Sequence, residues 1–174
     1  KDVDYFVVMV RKPLSTPPPV YSDRSRGDID DWPLVIDRLV PSPLRPVQQQ
    51  AIDGGLLTSR RNVIVAAPTN SGKSLIGTLV LLEALRKGKR AILIEPLRAL
   101  ANEQAENLQR QLAAIEPILG SELTVKVTTG DYRIDAEEYS DPAPHAELIV
   151  CTPERLDAIM RNPVNQAWVE SIGA

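Results

Sequence analysis

Histidine, cysteine and aromatic residues are scarce in this chain of 174 residues. It has one histidine, His145, and one cysteine, Cys151, while Phe, Trp and Tyr together make up 4% of the residues. A single cysteine excludes an internal disulfide and suits a reducing compartment. One histidine and one cysteine are also too few for a zinc site with the usual number of ligands.

Long apolar runs and a strong excess of charge are missing as well. The composition is 43% hydrophobic and 25% charged, and the formal net charge is −3. Because no apolar run reaches membrane-spanning length, and Lys1-Asp2-Val3-Asp4 is unlike a signal peptide, we expect a cytoplasmic protein with no membrane partner. Any binding of nucleic acid by such a chain must come from a local surface.

Proline, in contrast, is abundant. The chain has fifteen prolines, and eight of them lie before position 47. This crowding predicts that residues 1–40 form a proline-rich, extended N-terminal arm or linker, although Tyr5-Phe6-Val7-Val8-Met9-Val10 could form one strand. Residues 41–174 are then expected to form the folded domain.

Beyond the arm, apolar runs alternate with helical patterns. Strands are predicted at 62–67, 91–95, 123–128 and 148–151, and helices at 47–57, 73–86, 98–112 and 153–160. This alternation predicts an α/β fold, a parallel sheet with helices on both faces. Because crossovers are right-handed, the carboxyl ends of the strands meet at one edge, where ligands bind. The segments that follow the four strands should therefore line one surface.

The first of these segments has the pattern of a phosphate-binding P-loop. Ala67-Pro68-Thr69-Asn70-Ser71-Gly72-Lys73-Ser74 lies between a predicted strand and a predicted helix, with Ala67 in place of the usual first glycine. Backbone N–H groups and the helix dipole would attract phosphates there. Lys73, as the catalytic lysine, would reach the terminal phosphates of ATP, and Ser74 would bind Mg²⁺. The alternative is a plain Ser/Gly loop that caps a helix.

Gln48 lies in the predicted helix upstream of this loop. Its amide can donate and accept at once, which matches the N6 and N7 edge of adenine. An exposed glutamine on a helix is the alternative, but the nearby P-loop favours the ATP-binding interpretation.

The other three strand ends carry residues that suit a nucleic-acid backbone. The candidates are Pro96 and Arg98, then Thr129 and Gly130, then Thr152 and Arg155. Arginine, hydroxyl groups and free N–H groups at helix starts can all bind phosphates. Each segment could equally be turn or cap chemistry, or a solvated arginine.

The order of these segments resembles the first motor domain of superfamily 2 helicases, especially the Ski2-like and Hel308-like DExH group. The matches are Gln48 (Q motif), 67–74 (motif I), 96–101 (motif Ia), 129–132 (the motif that follows) and 152–156 (motif Ib). The resemblance implies a RecA-like P-loop NTPase fold and ATP-driven 3′→5′ unwinding or translocation. It also implies contacts from motifs Ia and Ib to the backbone of DNA or RNA.

That family next requires a strand ending in Asp-Glu-x-His, whose acids hold Mg²⁺ and position the attacking water. The sequence stops at Ala174 where this strand should begin, and neither Asp37 nor Glu95 is placed to substitute. The resemblance therefore implies an incomplete domain that hydrolyses ATP poorly alone. Completion would come from the remaining helicase domains in cis or from a complementing chain.

Two other functions stay open at this point. The chain could be a non-catalytic nucleic-acid- or nucleotide-binding module derived from the helicase fold. It could also be a P-loop kinase of small molecules, although that function leaves the matches at Gln48, 96–101 and 129–132 unexplained.

Overall fold

Helices and strands alternate along most of the chain. A computed structural model describes residues 6–10, 32–40, 43–58, 62–119, 123–129 and 147–174, and its contacts divide the chain into two compact units, Lys1–Gly77 and Thr78–Ala174. In chain order the elements are β1 (Phe6–Val10), α1 (Trp32–Leu39), α2 (Pro46–Asp53), β2 (Asn62–Ala66), α3 (Lys73–Arg86), β3 (Ala91–Ile94), α4 (Arg98–Leu119), β4 (Thr124–Thr128), β5 (Glu147–Cys151), α5 (Pro153–Met160), a 3₁₀ turn (Pro163–Asn165) and α6 (Gln166–Glu170). The predicted helices at 73–86 and 153–160 agree with α3 and α5 at both ends.

In the first unit, β1 and β2 form a two-stranded antiparallel sheet. Phe6 lies opposite Ala66 and Val10 opposite Asn62, and α2 packs against β1. The strand suggested within the arm is therefore confirmed. The strand before the P-loop was expected to join the parallel sheet. In the structure this strand is β2, which pairs with β1 instead. Hydrogen bonds to a segment far away in the sequence satisfy its backbone groups, and its own apolar pattern does not reveal that partner.

The arm also contains a helix where an extended chain was predicted. Helix α1 covers Trp32–Leu39. Pro33 is its second residue, where the missing N–H of proline removes no intrahelical hydrogen bond. Val35 is 3% exposed, so burial of an apolar side chain, rather than the proline content, decides the local structure.

The second unit is built on a parallel sheet with the strand order β3-β5-β4. In the register of the sheet, Ile94 lies beside Cys151, and Cys151 lies beside Thr128. All five residues of the central strand β5 are buried, as expected for a strand covered on both faces. The predicted parallel α/β arrangement is thus confirmed for these three strands.

Helices cover both faces of β5. Ile149 and Cys151 pack with Ile159 of α5 and Trp168 of α6. Because side chains alternate along a strand, residues 148 and 150 face the opposite side, where α4 contacts β4 and β5. Burial raises the pKa of the Cys151 thiol to about 11. Cys151 is therefore a packing residue, as the sequence predicted.

Helix α4 is longer than predicted and runs to Leu119 instead of ending at 112. Its buried side chains continue along one stripe past that point: Ala101, Ala105, Leu108, Leu112 and Ile115. The packing of this stripe outweighs the local cost of Pro117 near the helix end. No helix in the described part of the chain, α4 included, is long and apolar enough to cross a membrane.

The last residues of the chain pair with the edge of β3 that faces away from β5. Arg90 N donates to Ser171 O (3.1 Å), Gly173 N donates to Arg90 O (2.8 Å), and Ile92 N donates to Ala174 O (2.7 Å). The bridge between Arg90 and Ile172 is parallel. The sequence did not predict this pairing or helix α6.

Candidate functional site

The P-loop in the first unit has the backbone that a phosphate-binding turn needs. Asn70 and Gly72 both have positive φ, at 63° and 89°, and Ser71 N donates to Pro68 O (3.3 Å). The loop closes directly before Lys73, the first residue of α3. Residues in this left-handed region bring successive N–H groups toward a common point, which favours an anion.

Lys73 folds back into this loop. Its Nζ donates to Ala67 O (2.5 Å) and to Pro68 O (2.6 Å). An ammonium group has three N–H donors, and two of them bind carbonyl groups of the loop here. The Lys73 ammonium therefore lies against the P-loop backbone at the start of α3.

Gln48 contacts the same loop. Its Nε2 donates to Gly72 O (2.9 Å), and its Oε1 accepts from Arg45 N (2.9 Å). The side chain is 4% exposed. The sequence suggested an adenine reader or an exposed glutamine; the structure excludes the exposed glutamine and reveals a contact to the P-loop backbone. The adenine contact stays a prediction.

The loop also has hydroxyl groups that a nucleotide could use. The hydroxyl of Ser71 is buried, and no hydrogen-bond partner for it lies within the described residues, so the loop holds a polar group that a phosphate could satisfy. Ser74, whose hydroxyl is the predicted Mg²⁺ ligand, is exposed in the first turn of α3. Across the described ranges, no group of three or more His, Cys, Asp or Glu side chains could hold a metal by itself.

In the second unit, the predicted nucleic-acid segments share one edge of the sheet. Thr128 and Cys151 are paired, so Thr129 and Thr152, which follow them, lie at the ends of neighbouring strands about 4.8 Å apart. On the other side of β5, Glu95 N donates to Cys151 O (2.9 Å). The prediction of a common edge is confirmed for the ends of β3, β5 and β4.

Exposure separates the candidates at this edge. Pro96 and Arg98 are exposed, and Arg98 is the first residue of α4. Thr129 and Thr152 are buried, at 9% and 4% exposure. Gly130, like Asp131 and Tyr132 of the same motif, lies outside the described residues.

Arg155 differs most from the sequence-based expectation of a phosphate contact. It is 5% exposed, and its Nε donates to Thr128 Oγ1 at 2.9 Å, with both groups buried. The sequence placed Thr128 in the segment 128–131 after the third predicted strand but gave it no separate role. Sequence reasoning missed Arg45, whose backbone N–H binds Gln48; Arg45 belongs to no motif, and only its spacing from Gln48 could have drawn attention to it.

Comparison with known proteins places this site in a family. Residues 45–172 match the DEAD/DEAH box helicase family. The ATP-dependent DNA helicase Hel308 of Methanococcus vannielii is 32% identical over 137 residues, which cover 74% of this chain and 16% of that protein. Hel308 of Methanocaldococcus jannaschii is 33% identical over 135 residues, covering 74% and 10%. The RQC trigger complex helicase SLH1 of Saccharomyces cerevisiae is 29% identical over 119 residues, covering 67% and 6%.

The chain spans about a sixth or less of the length of these relatives. The family match nevertheless includes Gln48, the P-loop and all three strand-end segments of the second unit. The resemblance to the Ski2-like and Hel308-like group is thereby confirmed, and the chain belongs to the DEAD/DEAH box helicase family.

Proposed function

We propose that this chain is the ATP-binding part of an ATP-dependent nucleic-acid helicase, whose complete form translocates along or unwinds nucleic acid in the 3′→5′ direction. The observation that carries the proposal is the P-loop, in which the Lys73 ammonium and the left-handed backbone meet at the start of α3. Membership of the helicase family favours this function over a small-molecule kinase.

Each P-loop residue has a distinct part in the proposal. The N–H groups of residues 67–74 would bind the phosphates of ATP, and Lys73 would neutralise the terminal ones. The Ser74 hydroxyl would hold Mg²⁺, which offsets the phosphate charge when bound. Gln48 would hold the carbonyl of Gly72 in place while its remaining donor and acceptor contact adenine.

The proposed partner of the second unit is the phosphate backbone of DNA or RNA. Arg98, at the N-terminus of α4, would contact one phosphate, together with Pro96 beside it. The backbones of Thr129, Gly130 and Thr152 would contact others. The relatives named as DNA helicases favour DNA as the first probe.

The proposal also covers the surroundings of the chain. Remaining helicase domains, in cis or as a complementing chain, would supply the acids that position water for hydrolysis. A cytoplasmic location is supported by the free, buried thiol of Cys151.

Binding of a fluorescent ATP analogue in the presence of Mg²⁺ tests the nucleotide site. Lys73→Ala is expected to weaken binding by about 10- to 100-fold, because it removes a charged hydrogen-bond donor from the phosphates. Lys87→Ala is the matched control: it removes the same charge directly after α3, where Lys87 pairs with Glu83 (2.7 Å).

Equal affinities of the Lys73→Ala and Lys87→Ala variants would contradict the assignment of the P-loop. If the chain binds single-stranded DNA but no nucleotide, the non-catalytic nucleic-acid-binding module becomes the better description.

A further inference from the structure

The starting observation is a buried contact between helix α5 and the end of strand β4. Arg155 is the third residue of α5, and its Nε donates to Oγ1 of Thr128, the last residue of β4 (2.9 Å). Arg155 and Thr128 are 5% and 8% exposed. The guanidinium therefore joins the first turn of α5 to the end of the neighbouring strand.

The position of Thr128 makes this contact relevant to ligand binding. Thr128 pairs in register with Cys151, so the next residues, Thr129 and Thr152, follow adjacent strands at the same edge of the sheet. Thr152 is the N-cap of α5, and its side chain makes no capping hydrogen bond. The side chain of Arg155 thus connects α5, which begins directly after Thr152, to Thr128, which directly precedes Thr129.

We propose that Arg155 is a positioning residue, which acts through Thr128 to set the relative position of Thr129 and Thr152, the residues that follow β4 and β5, toward nucleic-acid phosphates. It does not contact a phosphate itself, because its guanidinium is buried and donates to Thr128. The inference rests on the proposed binding of nucleic acid at this edge.

A double-mutant cycle on single-stranded DNA binding tests the proposal with a labelled oligothymidylate. Arg155→Ala and Thr128→Val each remove one partner of the hydrogen bond, and each is expected to weaken binding by about 3- to 10-fold. The double variant should be no weaker than Arg155→Ala alone, because that change already breaks the contact to Thr128. Thr128→Ser keeps the hydroxyl and should retain the affinity of the unmodified chain.

The salt dependence of the same binding separates positioning from direct contact. Each phosphate contact to a single strand contributes about 0.7 to the slope of log affinity against log salt concentration. Arg98→Ala is expected to reduce the slope by about 0.7, whereas Arg155→Ala should lower the affinity and leave the slope unchanged. A slope reduced to the same extent by Arg155→Ala would overturn the proposal.

A stability control is available in the same helix. Ile159 is 0% exposed and packs in the core between α5 and the sheet, so Ile159→Val lowers stability without touching β4. It should leave DNA binding, measured without denaturant, unchanged. Urea unfolding curves show whether each variant is folded under those conditions. If Ile159→Val weakens binding as much as Arg155→Ala, or if Thr128→Val has no effect, the positioning role is wrong.

Failure of the unmodified chain to bind DNA would overturn the proposed nucleic-acid binding as well as the positioning role. If only Arg98→Ala weakens binding, the positioning role alone is overturned.

Discussion

At Gly72 in the P-loop, both the backbone conformation and a neighbouring side chain restrict which residue is possible. Its φ of +89° lies in the region that side chains rarely adopt, and a Cβ built there would lie 2.2 Å from Nε2 of Gln48. The same Nε2 donates to the carbonyl of Gly72. Glycine is therefore required both by the turn and by the close approach of Gln48, and only the turn could be predicted from the sequence.

We expect Gly72→Ala to lower the free energy of unfolding by about 1–3 kcal/mol, the usual cost of a side chain in the left-handed region. The variant should also lose affinity for the ATP analogue, because the loop must shift away from Gln48. Urea unfolding and nucleotide titration measure the two effects.

Gly77→Ala is the matched control for that change. Gly77 lies inside α3, and a Cβ there would meet nothing within 4 Å. Alanine should raise stability by about 0.5–1 kcal/mol, because it is the better helix former. Equal destabilisation by both substitutions would show that the constraint on Gly72 is not specific.

At the scale of elements, α6 and the residues after it hold the open edge of β3. Trp168 is 2% exposed, and the Cζ of Arg90 lies 5.9 Å from the centre of its ring. Arg90 also donates to Ser171 Oγ (2.6 Å) and lies 3.4 Å from Glu147. A buried aromatic side chain and a buried ion pair thus align Ser171 and Ile172 with β3, although the segment has no strong strand pattern of its own.

Trp168→Ala is expected to lower the free energy of unfolding by about 3–5 kcal/mol, because it leaves a cavity among Ile149, Cys151 and Ile159. Urea unfolding followed by circular dichroism measures the loss. Met160→Ala serves as the control, since Met160 is 54% exposed and should change stability by less than about 0.5 kcal/mol. If Trp168→Ala lowers the free energy of unfolding as little as Met160→Ala does, α6 contributes little to the core.

For the whole molecule, β5 is the centre of the second unit. It is hydrogen-bonded to β3 on one edge and β4 on the other, and all of its residues are buried. In the first unit, β2 has β1 as its described partner, and Ile64 in β2 is 59% exposed. Stability against local opening should therefore differ strongly between the two sheets.

Hydrogen exchange detected by mass spectrometry is expected to show this difference. Peptides that cover Glu147–Cys151 should exchange at least about ten-fold more slowly than peptides that cover Asn62–Ala66, because opening β5 requires disruption of the core. Peptides from the last turn of α4 give an internal reference for a fraying helix end. Comparable rates in β5 and β2 would contradict the prediction.

Much of the fold was predictable because its signals are local. The bounds of α3 and α5 follow from Gly72-Lys73 at the start of one helix and Pro153 at the start of the other. The parallel direction of β3, β4 and β5 was expected because uniformly apolar strands alternate with helices, whereas their order in the sheet was not predicted. Helix α1 was missed because the prolines around it suggest an extended chain, and its stability comes from burial of Val35.

The candidate site also has parts that the sequence predicts and parts that depend on tertiary contacts. By itself, the sequence determined the P-loop, its lysine and the order of the strand-end segments, since these depend on neighbouring residues and on the period of the apolar pattern. Only the tertiary structure decided that β2 pairs with β1, that Gln48 holds Gly72, and that Arg155 is buried against Thr128. These contacts join residues that are many positions apart, for example 27 between Thr128 and Arg155. Their formation depends on which surfaces meet when the chain packs, and local propensity does not encode that choice.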